Sequence, residues 1–459
     1  MPRMKRRDFL KSTAVGGIGF WVAGGIAPRQ SKAVNEQLAF AAIGIGGKGD
    51  SDSQDAARNG RMVAICDVDR ARLAQAATRF PGAKTYTDFR KMLEEVGDKI
   101  DAVTVSTPDH AHAVASLMAM RMGKHCFCQK PLTQTIYEAR LMGEVAREKK
   151  VITQMGNQGT AAGGLRKAAA LLRAGVLGTV TEVHVWTNRP IWPQGIKRAD
   201  PQPVPKDLDW DCWISRAPMR PYAPGYHPFS WRGWWDFGTG ALGDMACHTM
   251  NMPFMGLDLR DPISVKAEVA PQDESTGWHD SFPKWSIIEY EFGPRGDRPG
   301  LKLIWYDGGK LPDLSLLEGS KFLEERRKRR QQDKKTALMP GSGVVIVGTK
   351  GKMFSPDDYG AHFELYAGAE EKPVEFPPPP PGGHFQEWIE GIKTGKQPTS
   401  NFPDYAGPLT EMVLVGNLAV WAPGQKILWD AKNLKATPEK PVEGLERLIR
   451  PEPRAGYTL

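Results

Sequence analysis

Asp244 and His248 lie four residues apart in a run that predicts a helix, and they are well suited to proton transfer. Side chains at this spacing face the same side of a helix. A carboxylate beside an imidazole orients the ring and raises its basicity, which suits a group that takes a proton from a hydroxyl. The same spacing also fits an ordinary structural hydrogen bond, so the pair needs support from other residues.

Lys130 follows the strand-like run 126–129 and precedes Pro131. A lysine at the end of a strand that faces a substrate donates a hydrogen bond to a reacting hydroxyl and stabilises negative charge on its oxygen. An ordinary surface lysine is the alternative. Together with Asp244 and His248, Lys130 forms the predicted catalytic group.

A glycine-rich loop follows the apolar strand pattern 38–43 and opens a predicted helix. Its sequence is Gly44-Ile45-Gly46-Gly47-Lys48-Gly49. Glycines at these spacings permit a tight turn, let the backbone approach a pyrophosphate and allow close packing of helix on strand. The free N–H groups at the helix N-terminus bind phosphate oxygens. A glycine turn that binds no nucleotide is the alternative.

Further predicted cofactor contacts lie at the ends of neighbouring strands. Asp67 ends the strand after the glycine loop and its helix. An acid there accepts hydrogen bonds from the adenosine ribose and repels a 2′-phosphate, which favours NAD, with NADP as the alternative. The remaining expected contacts are Thr107, Pro108, His112, Gln129 and Lys130. For His112, a place in helix capping or packing is expected rather than a part in catalysis.

Residues 34–155 and 156–459 differ in their patterns and are predicted to form two domains. In the first, strand patterns alternate with helical patterns, which is typical of a doubly wound parallel sheet with a ligand crevice at the strands' carboxyl ends. In the second, period-two patterns predict an α+β domain with a large, open, mostly antiparallel sheet. The fold class is therefore α/β, with a Rossmann domain first. The Pro- and Trp-rich stretch 189–235 predicts long ordered loops over the site.

The first 33 residues resemble a bacterial twin-arginine signal peptide. Arg6 and Arg7 precede an apolar run that is too short to span a bilayer, and small residues permit cleavage after Ala33. We therefore expect the twin-arginine export machinery as a partner and a periplasmic or otherwise exported protein. Membrane anchoring by an uncleaved leader is the alternative.

Charge and cysteine content argue against several other classes of protein. The formal charge is +8, but residues 1–33 carry seven basic and one acidic side chain, so the remainder has a charge near +2 and no case for nucleic-acid binding. The charged run 321–335 is expected to be a solvated helix or mobile loop. The five cysteines lack the spacing of a zinc site, and folding in a reducing cytoplasm favours free thiols. No metal is expected.

The glycine loop, Thr107-Pro108, Lys130-Pro131 and Asp244-x-x-x-His248 together resemble the glucose–fructose oxidoreductase/inositol dehydrogenase/MocA (Gfo/Idh/MocA) family over nearly the whole mature chain. The resemblance implies that the lysine, the aspartate and the histidine surround the substrate carbon at the nicotinamide. It also implies that the open C-terminal sheet makes oligomer contacts, so a homodimer or homotetramer is expected.

Gln129 departs from the family pattern, which usually has glutamate at this place. Glutamine keeps the size and the hydrogen bonding of glutamate but removes a negative charge beside Lys130. Because a neighbouring acid favours the ammonium form, we expect Lys130 to hold its proton less firmly. The direction of the reaction and its pH profile are left open by this replacement.

Trp231 and Arg232 belong to an aromatic run just before Asp244. Aromatic faces stack on the C–H faces of sugar rings, and an arginine binds hydroxyls or a carboxylate. Asn157 and Tyr306 are the other expected substrate contacts. For any single tryptophan, packing in the core is the alternative.

The leading hypothesis is an exported NAD-dependent oxidoreductase that transfers hydride between a carbinol carbon of a sugar, polyol or glycoside and the nicotinamide. In it His248 is the base or acid, Lys130 polarises the oxygen and Asp244 orients His248. Because the periplasm supplies no soluble cofactor, NAD is expected to stay tightly bound. The alternative is a glycoside hydrolase or lyase that passes through a transient keto-sugar without net redox change. A third hypothesis is a sugar-binding or assembly protein on a retained dinucleotide fold.

Overall fold

Six parallel strands form the first sheet in the computed structural model, which describes residues 37–459; the predicted leader lies outside them. The strands are β1 (Leu38–Ile43), β2 (Gly60–Cys66), β3 (Lys84–Tyr86), β4 (Ala102–Val105), β5 (His125–Cys128) and β6 (Thr153–Met155). Their spatial order is β3-β2-β1-β4-β5-β6. The order reverses between β1 and β4, which opens a crevice at the carboxyl ends of the strands. The predicted Rossmann sheet is confirmed.

Five helices connect these strands, in the alternation of strand and helix that the sequence predicted. They are α1 (Lys48–Asn59), α2 (Arg70–Arg79), α3 (Phe89–Val96), α4 (Asp109–Arg121) and α5 (Ile136–Lys149). Among the six strands of this sheet, β3 had no strand pattern in the sequence. It is three residues long at the edge of the sheet, and its side chains are exposed or half-buried, so it has no apolar run to reveal it.

Nine strands form the second sheet. They are β7 (Val180–Trp186), β8 (Ser264–Val269), β9 (Ser286–Phe292), β10 (Leu301–Tyr306), β11 (Gly343–Gly348), β12 (Gly351–Ser355), β13 (Glu364–Tyr366), β14 (Lys426–Asp430) and β15 (Lys435–Pro438). Their order is β13-β12-β11-β7-β10-β9-β8-β14-β15. The β7–β10 pair is parallel and the other neighbours are antiparallel. The expected large, mostly antiparallel sheet is confirmed.

Eight further helices accompany the second sheet. They are α6 (Gly163–Arg173), α7 (Trp210–Ile214), α8 (Gly240–Thr249), α9 (Asn251–Leu257), α10 (Lys321–Gln332), α11 (Gly383–Thr394), α12 (Gly407–Trp421) and α13 (Glu446–Ile449). Helix α12 is buried along most of its length and contacts α5, α8, β8 and β9. It therefore packs between the two sheets and fixes α8 relative to the Rossmann domain.

Alternation along β9 shows which face of the second sheet is covered. Ile288, Tyr290 and Phe292 are buried on the side of α12, and the Tyr290 hydroxyl donates to the carbonyl of Val413 at 2.9 Å. On the opposite face, α10 packs near Trp186, while most of its own side chains are exposed. The charged run thus forms a solvated helix, one of the two forms expected for it.

Within residues 37–459, no helix has the length and apolarity to cross a bilayer. All five cysteines are free thiols, and four of them are buried. The preference for thiols over disulfides is confirmed.

A buried ion pair joins the two domains. Arg216, from the loop after α7, donates through Nη2 to Glu138 Oε2 at 2.9 Å, and its Nε lies 2.5 Å from Oε1. The same carboxylate accepts from the backbone N–H and hydroxyl of Thr135, which begins α5. The Glu138 side chain is 0% exposed, so its charge depends on these donors for compensation.

Replacing Glu138 with Gln removes one charge of this pair and leaves Arg216 buried and uncompensated. We expect Glu138→Gln to lower the free energy of unfolding by about 3–5 kcal/mol. Denaturant unfolding of the variant and the wild type measures the difference. Glu144→Gln, at an exposed position of the same helix, is the matched control and should stay within about 0.5 kcal/mol of wild type. Equal losses in the two variants would show that the pair contributes nothing.

Candidate active site

A cavity of about 450 Å³ opens at the carboxyl ends of β1, β2, β4 and β5. It begins at the glycine loop and extends to α8 of the second domain. The predicted residues that line it are Gly44, Gly46, Gly47, Asp67, Thr107, Pro108, Gln129, Lys130, Trp231, Arg232, Asp244 and His248. One continuous cavity therefore contains the phosphate loop and the predicted catalytic group.

The glycine loop has the geometry that a pyrophosphate requires. Gly44 and Gly47 have φ angles of +77° and +55°, which favour glycine, and a Cβ on Gly49 would collide with the carbonyl of Gly44. Helix α1 has no side-chain cap at Gly47, and its N-terminus faces the cavity through Gly46, Gly47 and Lys48, which places backbone N–H groups where phosphate oxygens bind. The loop fits a dinucleotide.

Asp67 lies at the end of β2 and lines the cavity, as expected. Its carboxylate accepts hydrogen bonds from the backbone N–H of Ile45 (3.0 Å) and of Asp69 (2.9 Å). Burial raises the pKa of Asp67, although these two N–H groups act to lower it. Because each carboxylate oxygen has a second lone pair, Asp67 can also accept from ribose hydroxyls.

Lys130, Asp244 and Arg232 form a charge cluster at the far end of the cavity. The Lys130 ammonium donates to Asp244 Oδ1 at 2.9 Å and to the Asp244 carbonyl at 2.7 Å. Arg232 Nε donates to the same Oδ1 at 3.1 Å. Burial raises the pKa of Asp244, but the charges of Lys130 and Arg232 outweigh burial and lower that pKa to about 2. The aspartate is therefore ionised at neutral pH.

His248 follows Asp244 by one turn of α8 and lines the same end of the cavity. Burial first, and the charge of Lys130 second, lower the pKa of His248 to about 3. The imidazole is therefore neutral at pH 7 and able to accept a proton. Its Nδ1 is buried without a hydrogen-bond partner in the described part of the chain.

The expected orientation of His248 by Asp244 is not what the structure shows. The hydrogen bonds of the Asp244 carboxylate are made to Lys130 and Arg232 instead. The two cations attract the carboxylate more strongly than a neutral imidazole does. Asp244 therefore positions the lysine. The His248 ring packs against Tyr359 in a T-shaped contact, with ring centroids 5.0 Å apart.

Asp109 is a second acid in the cavity and was not predicted. It begins α4, and its carboxylate accepts from the Thr239 hydroxyl at 2.7 Å. Burial raises the pKa of Asp109 to about 7, against the opposing effects of Thr239 and Arg232. The Thr-Pro motif at the end of β4 was the available signal, because the next residue begins a helix at the crevice.

Aromatic side chains from the loop 189–235 surround Arg232. Its guanidinium carbon lies 5.8, 4.8 and 4.2 Å from the ring centroids of Trp192, Phe229 and Trp231. All three rings line the cavity, as does Tyr359 from the second domain. The loop thus lies over the site, as its composition indicated, and it supplies flat apolar faces beside fixed charges.

Three predicted contacts, Asn157, Tyr306 and His112, do not line the cavity. Asn157 is fully buried and its Oδ1 accepts from Ser400, so the neighbouring Gln158 faces the cavity in its place. Tyr306 is on the far side of the second sheet, where its ring is stacked with His184 at 6.1 Å. Assigning Asn157 and Tyr306 to the substrate was wrong, since strand alternation and the turn after β6 direct them into protein.

His112 also lies behind the cavity wall. Its ring nitrogens are 2.8 Å from the carbonyl oxygens of Thr107 and Pro131. Burial lowers the pKa of His112 to about 4. The residue therefore packs the two strand ends together, which agrees with the expectation of a packing role and corrects the one of cofactor contact. Ile45 and Gly49 do not line the cavity. The backbone N–H of Ile45 donates to Asp67, and Gly49 allows α1 to pack closely against the carbonyl of Gly44.

Comparison with known families agrees with this geometry. Residues 38–157 match the oxidoreductase family model described as an NAD-binding Rossmann fold, and residues 164–322 match the C-terminal alpha/beta domain of the same family. The chain belongs to the Gfo/Idh/MocA family. Its cofactor is accordingly NAD, and the glycine loop with Asp67 lies where an NAD-binding Rossmann domain holds the dinucleotide.

Several Gfo/Idh/MocA relatives are similar over part of their length. Levoglucosan dehydrogenase of Pseudarthrobacter phenanthrenivorans is 25% identical over 193 residues, which are 41% of this chain and 40% of that protein. D-glucoside 3-dehydrogenase of Escherichia coli is 38% identical over 90 residues, 19% of this chain and 24% of that one. The similarity thus spans less than half the length of these curated relatives.

Solved structures of similar fold cover nearly the whole chain. GenD2 from gentamicin A biosynthesis, in complex with NAD, has a TM-score of 0.57 at 20% identity and covers 88% of this chain and 100% of its own. Aldose-aldose oxidoreductase from Caulobacter crescentus, complexed with glycerol, has a TM-score of 0.55 at 16% identity, with the same coverage of both chains. At these identities the likeness shows a shared fold alone.

The raised pKa of Asp109 predicts a pH-dependent cost to stability in this Gfo/Idh/MocA protein. In the folded protein Asp109 keeps its proton up to about pH 7, whereas in the unfolded chain it loses the proton near pH 4. The free energy of unfolding therefore falls as the pH rises from about 4 to 7. Asp109→Asn keeps an acceptor for Thr239 but cannot ionise. We expect its free energy of unfolding to exceed that of the wild type by up to about 4 kcal/mol at pH 8 and by little at pH 4. Unfolding curves across this range measure it, with exposed Asp98→Asn as control. A pH-independent difference would contradict the assignment.

Proposed function

We propose that this protein is an exported NAD-dependent oxidoreductase that transfers hydride between a carbinol carbon of a sugar, polyol or glycoside and a tightly bound nicotinamide. The observation that carries the proposal is that Lys130 and His248 line the same cavity as the phosphate loop, with the Lys130 ammonium held by Asp244 one helical turn before His248. The nicotinamide ring supplies the hydride acceptor or donor when the cofactor is bound.

Each member of the group has a defined task in this reaction. Neutral His248 is the acceptor for the hydroxyl proton, and the charge of Asp244, one turn away, acts to raise its pKa against the effects of burial and Lys130. The Lys130 ammonium donates a hydrogen bond to the substrate oxygen and stabilises negative charge on it. Asp244 holds that ammonium in place at 2.9 Å. Reduction uses the same groups in reverse.

The walls of the cavity support a carbohydrate as substrate. Trp192, Phe229 and Trp231 offer flat apolar faces, and Arg232 offers N–H donors between them. Rings of this kind pack against the C–H faces of a sugar, while the cation binds its oxygens. Levoglucosan dehydrogenase and D-glucoside 3-dehydrogenase, two of the relatives, are named for carbohydrate substrates.

Lys130→Ala tests the catalytic assignment. We expect turnover to fall by about 10²–10⁴-fold while bound NAD is retained, because the lysine meets the reacting oxygen and not the phosphates. The assay supplies sugars, polyols and glycosides with and without a carbonyl acceptor and identifies products by mass spectrometry. Lys393→Ala, at an exposed position of α11, is the control. Unchanged turnover in Lys130→Ala would exclude the assignment.

The same assay separates the proposal from the hydrolase or lyase alternative. An oxidoreductase needs the acceptor for repeated turnover and leaves the glycosidic bond intact. Release of aglycone without an acceptor and without net reduction would instead support elimination through a transient keto-sugar. Binding of sugar with no turnover of any kind would favour a sugar-binding protein on the same fold.

Export rests on the leader, whose paired arginines are Arg6 and Arg7. We expect the wild-type chain to reach the periplasm already loaded with NAD, and the Arg6→Lys/Arg7→Lys variant to remain in the cytoplasm. Immunoblots of cell fractions locate the protein, and mass spectrometry of nucleotide released by denaturing the periplasmic protein detects NAD. Arg3→Lys is the control. Periplasmic protein without nucleotide would contradict a tightly bound cofactor.

A further inference from the structure

Asp52 is a buried carboxylate outside the catalytic group. It lies on α1, four residues after Lys48, and is 1% exposed. Its Oδ2 accepts from Gln129 Nε2 and from the Ser106 hydroxyl, both at 2.8 Å, and its Oδ1 accepts from the Lys48 ammonium at 2.5 Å. One carboxylate therefore joins the phosphate-loop helix to the ends of β4 and β5.

The contact with Asp52 determines how the Gln129 amide is oriented. An ionised carboxylate only accepts hydrogen bonds, so the NH₂ end of the amide must face it. The carbonyl end is then directed away from Asp52, and Gln129 lines the cavity next to Lys130. Gly156 leaves space for the amide, since a Cβ there would lie 2.7 Å from Gln129 Oε1.

The same contact explains why glutamate would not serve at position 129. Two carboxylates at hydrogen-bond distance in a buried site cannot both ionise, and one would have to carry a proton. Glutamine avoids this conflict, and the negative charge is present on α1 instead. Lys48 neutralises it only partly, because the Lys48 side chain is 50% exposed and screened by solvent.

We propose that Asp52 is a positioning residue for bound NAD: it orients the Gln129 carbonyl toward the nicotinamide half of the cofactor and supplies the buried negative charge that residue 129 lacks. The inference requires NAD but not the proposed sugar substrate, so the two proposals fail separately. Affinity for the oxidised and the reduced cofactor is the property that Asp52 should control.

The ratio of cofactor affinities distinguishes this role from a purely structural one. The oxidised nicotinamide carries a positive charge that the reduced ring lacks, so a buried anion nearby favours NAD⁺ over NADH. We expect Asp52→Asn to raise the ratio of the Kd for NAD⁺ to the Kd for NADH by about threefold to tenfold. Calorimetric titration of the protein stripped of nucleotide measures both constants.

A matched control lies on the same helix. Asp55→Asn makes the same substitution one turn further on, where Asp55 pairs with Arg58 at the surface. This variant should leave the ratio unchanged. A loss of stability in Asp52→Asn with both affinities weakened equally would show that Asp52 only supports the fold, and would overturn the proposal.

A charge exchange completes the test. Gln129→Glu should lower Tm, because it sets two buried carboxylates against each other and forces one of them to hold a proton. Asp52→Asn/Gln129→Glu exchanges the carboxylate and the amide and restores the hydrogen bond between them. It should recover most of the Tm that Gln129→Glu loses and most of the preference for NAD⁺ that Asp52→Asn loses, because one buried carboxylate is present again. A wild-type Tm in Gln129→Glu, or a double variant whose ratio of the Kd for NAD⁺ to the Kd for NADH stays at the Asp52→Asn value, would refute the inference.

Discussion

The sharing of Asp244 between Lys130 and Arg232 is the interaction on which the site depends. The lysine ends a strand of the Rossmann sheet, the arginine belongs to the loop over the cavity, and the aspartate lies on α8 of the second domain. None of these charges is stable in a buried site without its partners. The hydrogen bonds therefore keep both domains and the aromatic loop in one arrangement around the substrate end of the cavity.

This cluster also determines the state of His248. Because Asp244 is engaged by two cations, the histidine donates no hydrogen bond to it, and burial beside Lys130 keeps the ring neutral. A neutral base beside a charged lysine is the arrangement needed to move a proton from a hydroxyl while charge on its oxygen is stabilised. Asp109 and Asp52 add two further buried acids at the ends of neighbouring elements, each paired with its own donors.

Much of the Rossmann domain could be predicted because short strands and their connecting helices leave a clear periodic pattern. The glycine loop, Asp67 and Lys130 were found for the same reason: the carboxyl ends of parallel strands meet at one edge. Asn157 and Tyr306 were misplaced because the direction of a side chain after a strand depends on local turns and sheet register. Asp52 and Asp109 were missed because an acid in the first turns of a helix has no distinctive pattern.

The sequence by itself determined the order of the elements, the phosphate loop and the types of residue available for proton transfer. These follow from local periodicity and from glycine conformations that need no distant partner. Only the tertiary structure decided which charges are paired, because pairing depends on contacts that the chain order does not reveal: Lys130 and Asp244 are 114 positions apart, and Asp52 and Gln129 are 77. Asp244 therefore binds Lys130 rather than His248, which lies one turn away on α8. Gln129, at the end of β5, binds the Asp52 carboxylate on α1.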